Sequence, residues 1–401
     1  MIECEIYKQL KVFKLSTSSV NQKYIVSYNK RSFEVSESVV QLIYILQRSN
    51  SISEVIEIFY VENGRMYSEA EINELIDVYI CPIIEAYKTK RVKPLIISVE
   101  LISEVSIQYF SNLLKILFEK RIMIMIIILF AICDIVFYLI TMMNIPQMNL
   151  YTVSGLILLI ILSSFMHELG HVSACRYFNV NHGGIGFGLY LMFPVFYADV
   201  SEIWTLSRGK RLIVNIAGVY FQFILLIPCL ILYFYTHCDV LKYFIFAINI
   251  NLLMTLNPFF KFDGYWIVSD MLGVPNLRKR ANELISYYID KLRKNKMKES
   301  KPYLLSINRN AKIFLFVYSI IVNLFFIYFF CYILPIFFYN FFKTYPILIT
   351  NFFLVLSIGK SPDFALVLNV LAQTSFFVFT IYMLVRKFFP FIKKWLVKKM
   401  I

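Results

Sequence analysis

His167-Glu168-Leu169-Gly170-His171 is the part of the chain whose residue types and spacing could do chemistry. On a helix, side chains at i and i+4 leave from one face, so two imidazoles there can share a single Zn²⁺ while Glu168 faces the water that the ion activates. That is a hydrolase's equipment. The chain has only 4 histidines in 401 residues, so a pair at this spacing around a glutamate is a strong signal. The alternative is a helix that carries the motif by coincidence.

The motif lies inside an apolar run long enough to cross a bilayer. With 59% hydrophobic and 16% charged residues and a mean hydropathy of +0.66, the composition is that of a polytopic membrane protein and not of a soluble domain. Residues 34 to 85 hold ten acidic and two basic residues, so the net +14 belongs to the membrane part. Lys and Arg flank apolar runs there and fix topology, and no nucleic-acid partner is implied. Seven cysteines without a CxxC pair argue against a disulfide framework or a cysteine-rich zinc site. The polar first hundred residues contain no signal peptide, so insertion is expected to begin at an internal helix.

Residues 1–90 read as a small soluble α+β domain. Strands are expected at Tyr24–Tyr28 and Phe33–Val35, followed by three helices. The first carries Val39, Val40, Ile43 and Leu46 at helical spacing, and the others open on capping boxes, Ser51 to Glu54 and Ser68 to Glu71. This winged-helix-like pattern resembles the PqqD-like domains that bind the leader of a ribosomally made precursor peptide, which implies capture of a peptide strand on a sheet edge. An acidic cap with only a structural role is the alternative. A basic linker follows over 91–120, bordered by Lys88, Lys90, Lys120 and Arg121, and is expected near the cytoplasmic leaflet.

Six spans are expected, near 121–143, 150–175, 211–236, 241–258, 313–338 and 364–386. Their connections alternate in basic charge, which puts both termini and the long basic loops, including 276–312, in the cytoplasm of a bacterial cell. A seventh span through 346–358 would leave the basic tail outside, so 339–363 is expected as an outer-face or re-entrant segment, and 313–401 as the C-terminal membrane region. Between the second and third spans, His182 to Trp204 holds four of the chain's 12 glycines among alternating apolar residues. This reads as a short re-entrant β-hairpin near the metal, whose edge could pair with an unwound substrate, or as a turn packed against the spans.

A catalytic zinc takes three protein ligands and leaves one position open. His182 lies beyond the end of the motif helix, and His237 falls on the outer face. Asp263 is better placed, because Asn257-Pro258 and Gly264 break the helix around it where the fourth span reaches the cytoplasmic side. Counted from Arg176, the metal would sit about 10 Å below that surface.

Together these residues resemble the site-2 protease family of intramembrane zinc metalloproteases. Pro194 to Val200, Trp204, Arg208, Arg211 and Asn257-Pro258 through Asp263-Gly264-Tyr265-Trp266 are similar to its peptide zinc metalloprotease branch, often found beside bacterial genes for modified peptides or bacteriocins. The resemblance covers about 121–275. It implies that His167, His171 and Asp263 hold Zn²⁺ and that Glu168 is the general base. The family commonly has an asparagine eight residues before the aspartate to hold the substrate backbone. Here that position is Thr255, and Asn257 stands two residues later.

Asp134 in the first span is an intramembrane carboxylate, read either as functional or as a packed, neutral group. Asn215, Gln222, Asn249 and Asn251 are expected to bond between helices. The reading is thus an intramembrane zinc endopeptidase that matures a small peptide or a membrane-associated precursor, with neighbouring export proteins as further partners. Cleavage of a membrane-anchored regulator is a second reading. A peptide exporter or immunity protein without proteolytic activity is a third.

Overall fold

The computed structural model describes residues 4–29, 31–64, 66–86, 97–141, 149–190, 193–292 and 307–399. Most of the inter-span segment at 144–149 and part of the basic loop at 276–312 lie outside them. The N-terminal region runs α1 (Cys4–Lys8), β1 (Lys11–Leu15), β2 (Lys23–Tyr28), β3 (Arg31–Val35), α2 (Glu37–Arg48), α3 (Ile52–Asn63), α4 (Glu69–Tyr79) and α5 (Cys81–Glu85). The three strands form an antiparallel meander in the order β1-β2-β3, so the sheet has one strand more than its sequence suggests. Val26, Ile43, Leu46, Val55, Ile72 and Ile80 form its core.

Both helix starts behave as the sequence predicts, with one difference. Ser68 Oγ accepts from the Glu71 N–H at 3.3 Å while Glu71 accepts from the Ser68 N–H at 2.8 Å, a complete capping box. At Ser51 the hydroxyl accepts from the Glu54 N–H, but the Glu54 carboxylate reaches one residue further back, to the Asn50 N–H at 2.7 Å.

The stretch read as a linker is structured among its described residues. It contributes β4 (Ile97–Ile102) and α6 (Glu104–Leu114) ahead of the first long helix, α7 (Lys120–Ile140). β4 pairs antiparallel with β5 (Ile185–Tyr190), which pairs with β6 (Phe193–Ala198), giving a sheet in the order β4-β5-β6. The glycine-rich hairpin therefore forms, and it gains a third strand from outside. Among the described residues β6 pairs on one side only, an edge position that tolerates Pro194.

The remaining helices are α8 (Leu150–Tyr177), α9 (Arg208–Thr236), α10 (Asp239–Thr255), α11 (Asp263–Leu272), α12 (Leu277–Leu292), α13 (Arg309–Tyr328), α14 (Leu334–Ser357) and α15 (Phe364–Lys399). Among the described residues, five stretches are long and apolar enough to cross a membrane, within α7, α8, α9, the α13–α14 rod and α15. The fourth expected span, α10, has 17 residues. The 339–363 segment is not re-entrant up to Ser357: α13 continues through a π-helical turn at Phe329–Ile333 into α14, one helix of 49 residues. Pro346 does not stop it.

Within this set α9 is the central helix, since 56% of its most apolar window is buried against 6% for α7 and 17% for α8. α8 starts on Asn149, whose side chain accepts from the Thr152 N–H at 2.7 Å. It ends at Tyr177, where the Val180 N–H reaches back to the Cys175 carbonyl at 2.9 Å and Asn179 turns left-handed. Leu169, Val172 and Cys175 of α8 pack on Val214, Ala217 and Phe221 of α9.

Two glycines set how closely these helices approach. A Cβ on Gly170 would run into the Ala217 carbonyl, and one on Gly218 would lie 2.5 Å from the His167 ring. Gly170→Ala is therefore expected to destabilise the protein by about 1–3 kcal/mol through overpacking against backbone, checked as a lowered Tm in detergent.

Candidate metal centre

α8 presents His167 and His171 one turn apart toward α9, and the break after α10 brings Asp263 to the same point as the first residue of α11. Asp263 Oδ2 lies 2.9 Å from His167 Nε2 and 3.4 Å from His171 Nε2, and the two Nε2 atoms are 3.2 Å apart. Among the described residues this is the one group of three or more His, Cys, Asp or Glu side chains that could hold a metal ion.

The hydrogen bonds around the cluster explain why those atoms converge. His171 Nδ1 is 2.7 Å from the Val214 carbonyl, which can only accept, so Nδ1 carries the hydrogen and Nε2 presents its lone pair. His167 Nδ1 faces Gln222 Oε1 at 3.4 Å, and Gln222 is oriented by donating through Nε2 to Ser163 Oγ at 3.1 Å. The same tautomer results. Two lone pairs and a carboxylate oxygen then face one another, and Asp263 Oδ2 is buried without a hydrogen-bond donor.

Three acceptors so close need a cation between them. Separations of 2.9–3.4 Å match the edge of a tetrahedron with ligands at 2.0–2.1 Å, roughly 3.3 Å, so the donor set and its spacing fit Zn²⁺. Orienting the second ring nitrogen through a carbonyl or amide is also how metal-binding histidines are held.

Glu168 lies within electrostatic reach of all three groups, beside the backbone of Ala198 at the end of β6. The hairpin thus packs against the motif helix next to that carboxylate. Asn257 is not in the cluster: its Oδ1 accepts from the Phe259 N–H at 2.8 Å and shapes the turn into α11. His182 stands at the start of the hairpin, its Nδ1 2.8 Å from the Gly183 carbonyl. His237 caps the far end of α9, about 35 Å along that helix from Val214 at 1.5 Å per residue. Asp134 accepts from Asn249 Nδ2 at 2.7 Å, joining α7 to α10 away from the cluster. Asn215 and Gln222 also bond between helices.

Sequence reasoning did not find the Val214 carbonyl, the Ala198 backbone beside Glu168 or the pairing of Asp270 with Arg211 and Asn215. The first two are backbone atoms that every residue carries. Asp270 did leave a signal, lying seven residues after Asp263 and therefore on the same face of α11.

Fold and cluster together define a membrane protein with an HExxH helix and a distant aspartate gathered at one point. The chain is 30% identical over 121 residues to a protein of Bacillus subtilis (strain 168) named "Putative peptide zinc metalloprotease protein YydH". The match covers 30% of this chain and 48% of the relative, so it spans about half of the relative's length. No family profile matches the chain, and no solved structure matches it.

Proposed function

We propose that this chain is a zinc-dependent intramembrane peptidase of the site-2 protease type, which cuts a peptide bond in a small ribosomally made peptide or a membrane-associated precursor. The observation that carries the reading is the convergence of His167 Nε2, His171 Nε2 and Asp263 Oδ2, with the hydrogen of His171 turned away toward Val214. The name of the Bacillus subtilis relative supports it.

His167, His171 and Asp263 would hold the ion. When bound, Zn²⁺ supplies Lewis acidity, lowering the pKa of a coordinated water and polarising a carbonyl oxygen. Glu168 takes a proton from the attacking water and returns it to the leaving amine. β6 offers its open edge beside Glu168, and an extended peptide added there would have its carbonyls freed from helical hydrogen bonds. A substrate helix must therefore unwind locally before it is cut. The N-terminal domain captures the precursor at a sheet edge, in a bacterial cell membrane with both chain ends cytoplasmic.

The test is cleavage of a reporter whose transmembrane helix carries a glycine-containing, unwound segment. Cleavage should cease when 1,10-phenanthroline strips the metal and return when Zn²⁺ is added back. A purified chain that takes up no zinc would overturn the reading.

A further inference from the structure

Helix α11 carries a carboxylate at each end of one face. Asp263 opens the helix, and Asp270 follows after seven residues, two turns and about 10.5 Å on, so both point toward α9. There Asp270 is fully engaged. Arg211 donates from Nε to Oδ1 at 2.6 Å, and Asn215 donates from Nδ2 to Oδ2 at 2.8 Å. Arg211 is 2% exposed and gives its other nitrogens to the Leu206 carbonyl at 2.9 Å and the Ser16 carbonyl at 3.2 Å. Its guanidinium lies 5.2 Å from the centre of the Trp204 ring.

Arg211 and Asn215 begin a stripe on α9 that continues with Gly218 and Gln222, at i, i+4, i+7 and i+11. Gly218 lies against the His167 ring, Gln222 faces its Nδ1, and the Val214 carbonyl holds His171. One face of one helix therefore supports both histidines and anchors Asp270. Where α11 sits along that face decides where Asp263 falls.

The far end of α11 is held by the N-terminal domain. In the loop between β1 and β2, Ser18 donates through Oγ to the Leu272 carbonyl at 2.5 Å and through its N–H to the Gly273 carbonyl at 2.9 Å. Arg208 joins them, donating to Ser18 Oγ and to the Met271 carbonyl, each at 3.0 Å.

A buried ion pair is a poor source of stability, because desolvation offsets most of its attraction, and its best-attested use is to fix a register. Here the register is that of a metal ligand. We propose that Arg211, Asn215 and Asp270 are positioning residues that hold Asp263 against the histidine pair, and that the Ser16–Ser18 loop completes this clamp. The N-terminal domain is then part of the scaffold of the metal site as well as a separate module beside it. The inference rests on the zinc reading above.

The experiment uses the full chain in detergent micelles, with zinc affinity measured by chelator competition and Co²⁺ loaded in place of zinc so that its visible bands report ligand geometry. Asp270→Asn should weaken zinc binding by about 10- to 100-fold and shift the cobalt bands. Ser18→Ala should weaken it by about fivefold, the equivalent of one hydrogen bond. Because Asp270→Asn leaves Arg211 buried without its counter-charge, the double variant Arg211→Met/Asp270→Leu separates folding from positioning. It should recover the native Tm while zinc stays loosely held. A double variant with native affinity and native cobalt bands would reduce the cluster to packing and overturn the proposal, and an unchanged Ser18→Ala would remove the loop from it. A native chain that binds neither metal would overturn the zinc reading itself, before any variant is made.

Discussion

Glu168→Gln should leave the metal in place and lower peptide cleavage by about 10²–10⁴-fold, the usual contribution of a positioned general base. The substitution changes one atom and no ligand. His167, His171 and Asp263 keep their positions. What is lost is the ability to take a proton. Zinc per chain, measured by elemental analysis, is therefore expected to equal that of the native protein while the rate on the reporter collapses. A variant that cleaves at the native rate would exclude Glu168 as the base. It would favour the exporter or immunity reading, in which the metal has no proteolytic role.

Asp263→Ala should fail one step earlier, at the metal. Two imidazoles on one turn of α8 remain, and the anionic third ligand is gone. If about 10–16 kcal/mol of binding is shared over a four-coordinate zinc site, one ligand is worth on the order of 3 kcal/mol, or roughly 10²-fold in affinity. Chelator competition should show that loss, and cleavage should disappear with it. The contrast with Glu168→Gln is the informative part, since one variant keeps zinc without activity and the other keeps neither. Asp263→Ala should still fold, because removing the carboxylate also removes a buried anion whose oxygen has no donor.

The site was readable to the extent that side-chain type and helical period carry it. His167 and His171 share a face by spacing, and the proline and glycine around Asp263 mark a chain turning inward. The supporting shell was less legible. Val214 and Ala198 act through backbone atoms, whose placement depends on how closely α8 and α9 approach and on where β6 ends. Arg211 is among the residues that resemble the peptide zinc metalloprotease branch, but nothing in its neighbourhood announces a partner 59 residues on.

Elsewhere local signals conflicted. Ile97 to Ile102 alternates as a strand should, but its basic flank made it look like a linker, and its pairing with β5 is a long-range contact. The basic tail argues against a span through 346–358, which would leave it outside, yet the helix runs on to Ser357. Pro346 has no N–H to donate, and a helix in an apolar setting tolerates one lost backbone bond where neighbouring groups re-satisfy the freed carbonyl.

That uninterrupted helix bears on the parity of the topology. Arg309 to Ser357 rises by about 74 Å, more than twice the roughly 30 Å of hydrocarbon in a bilayer. A rod that never reverses can cross once and no more, so its 49 residues can carry the chain from one side to the other at most a single time. The surplus length must project beyond the lipid or bend along its surface, and the π-helical turn at Phe329–Ile333 is a place where it can do so. The return journey falls to α15 alone, which makes the side on which the basic tail emerges a question of one helix.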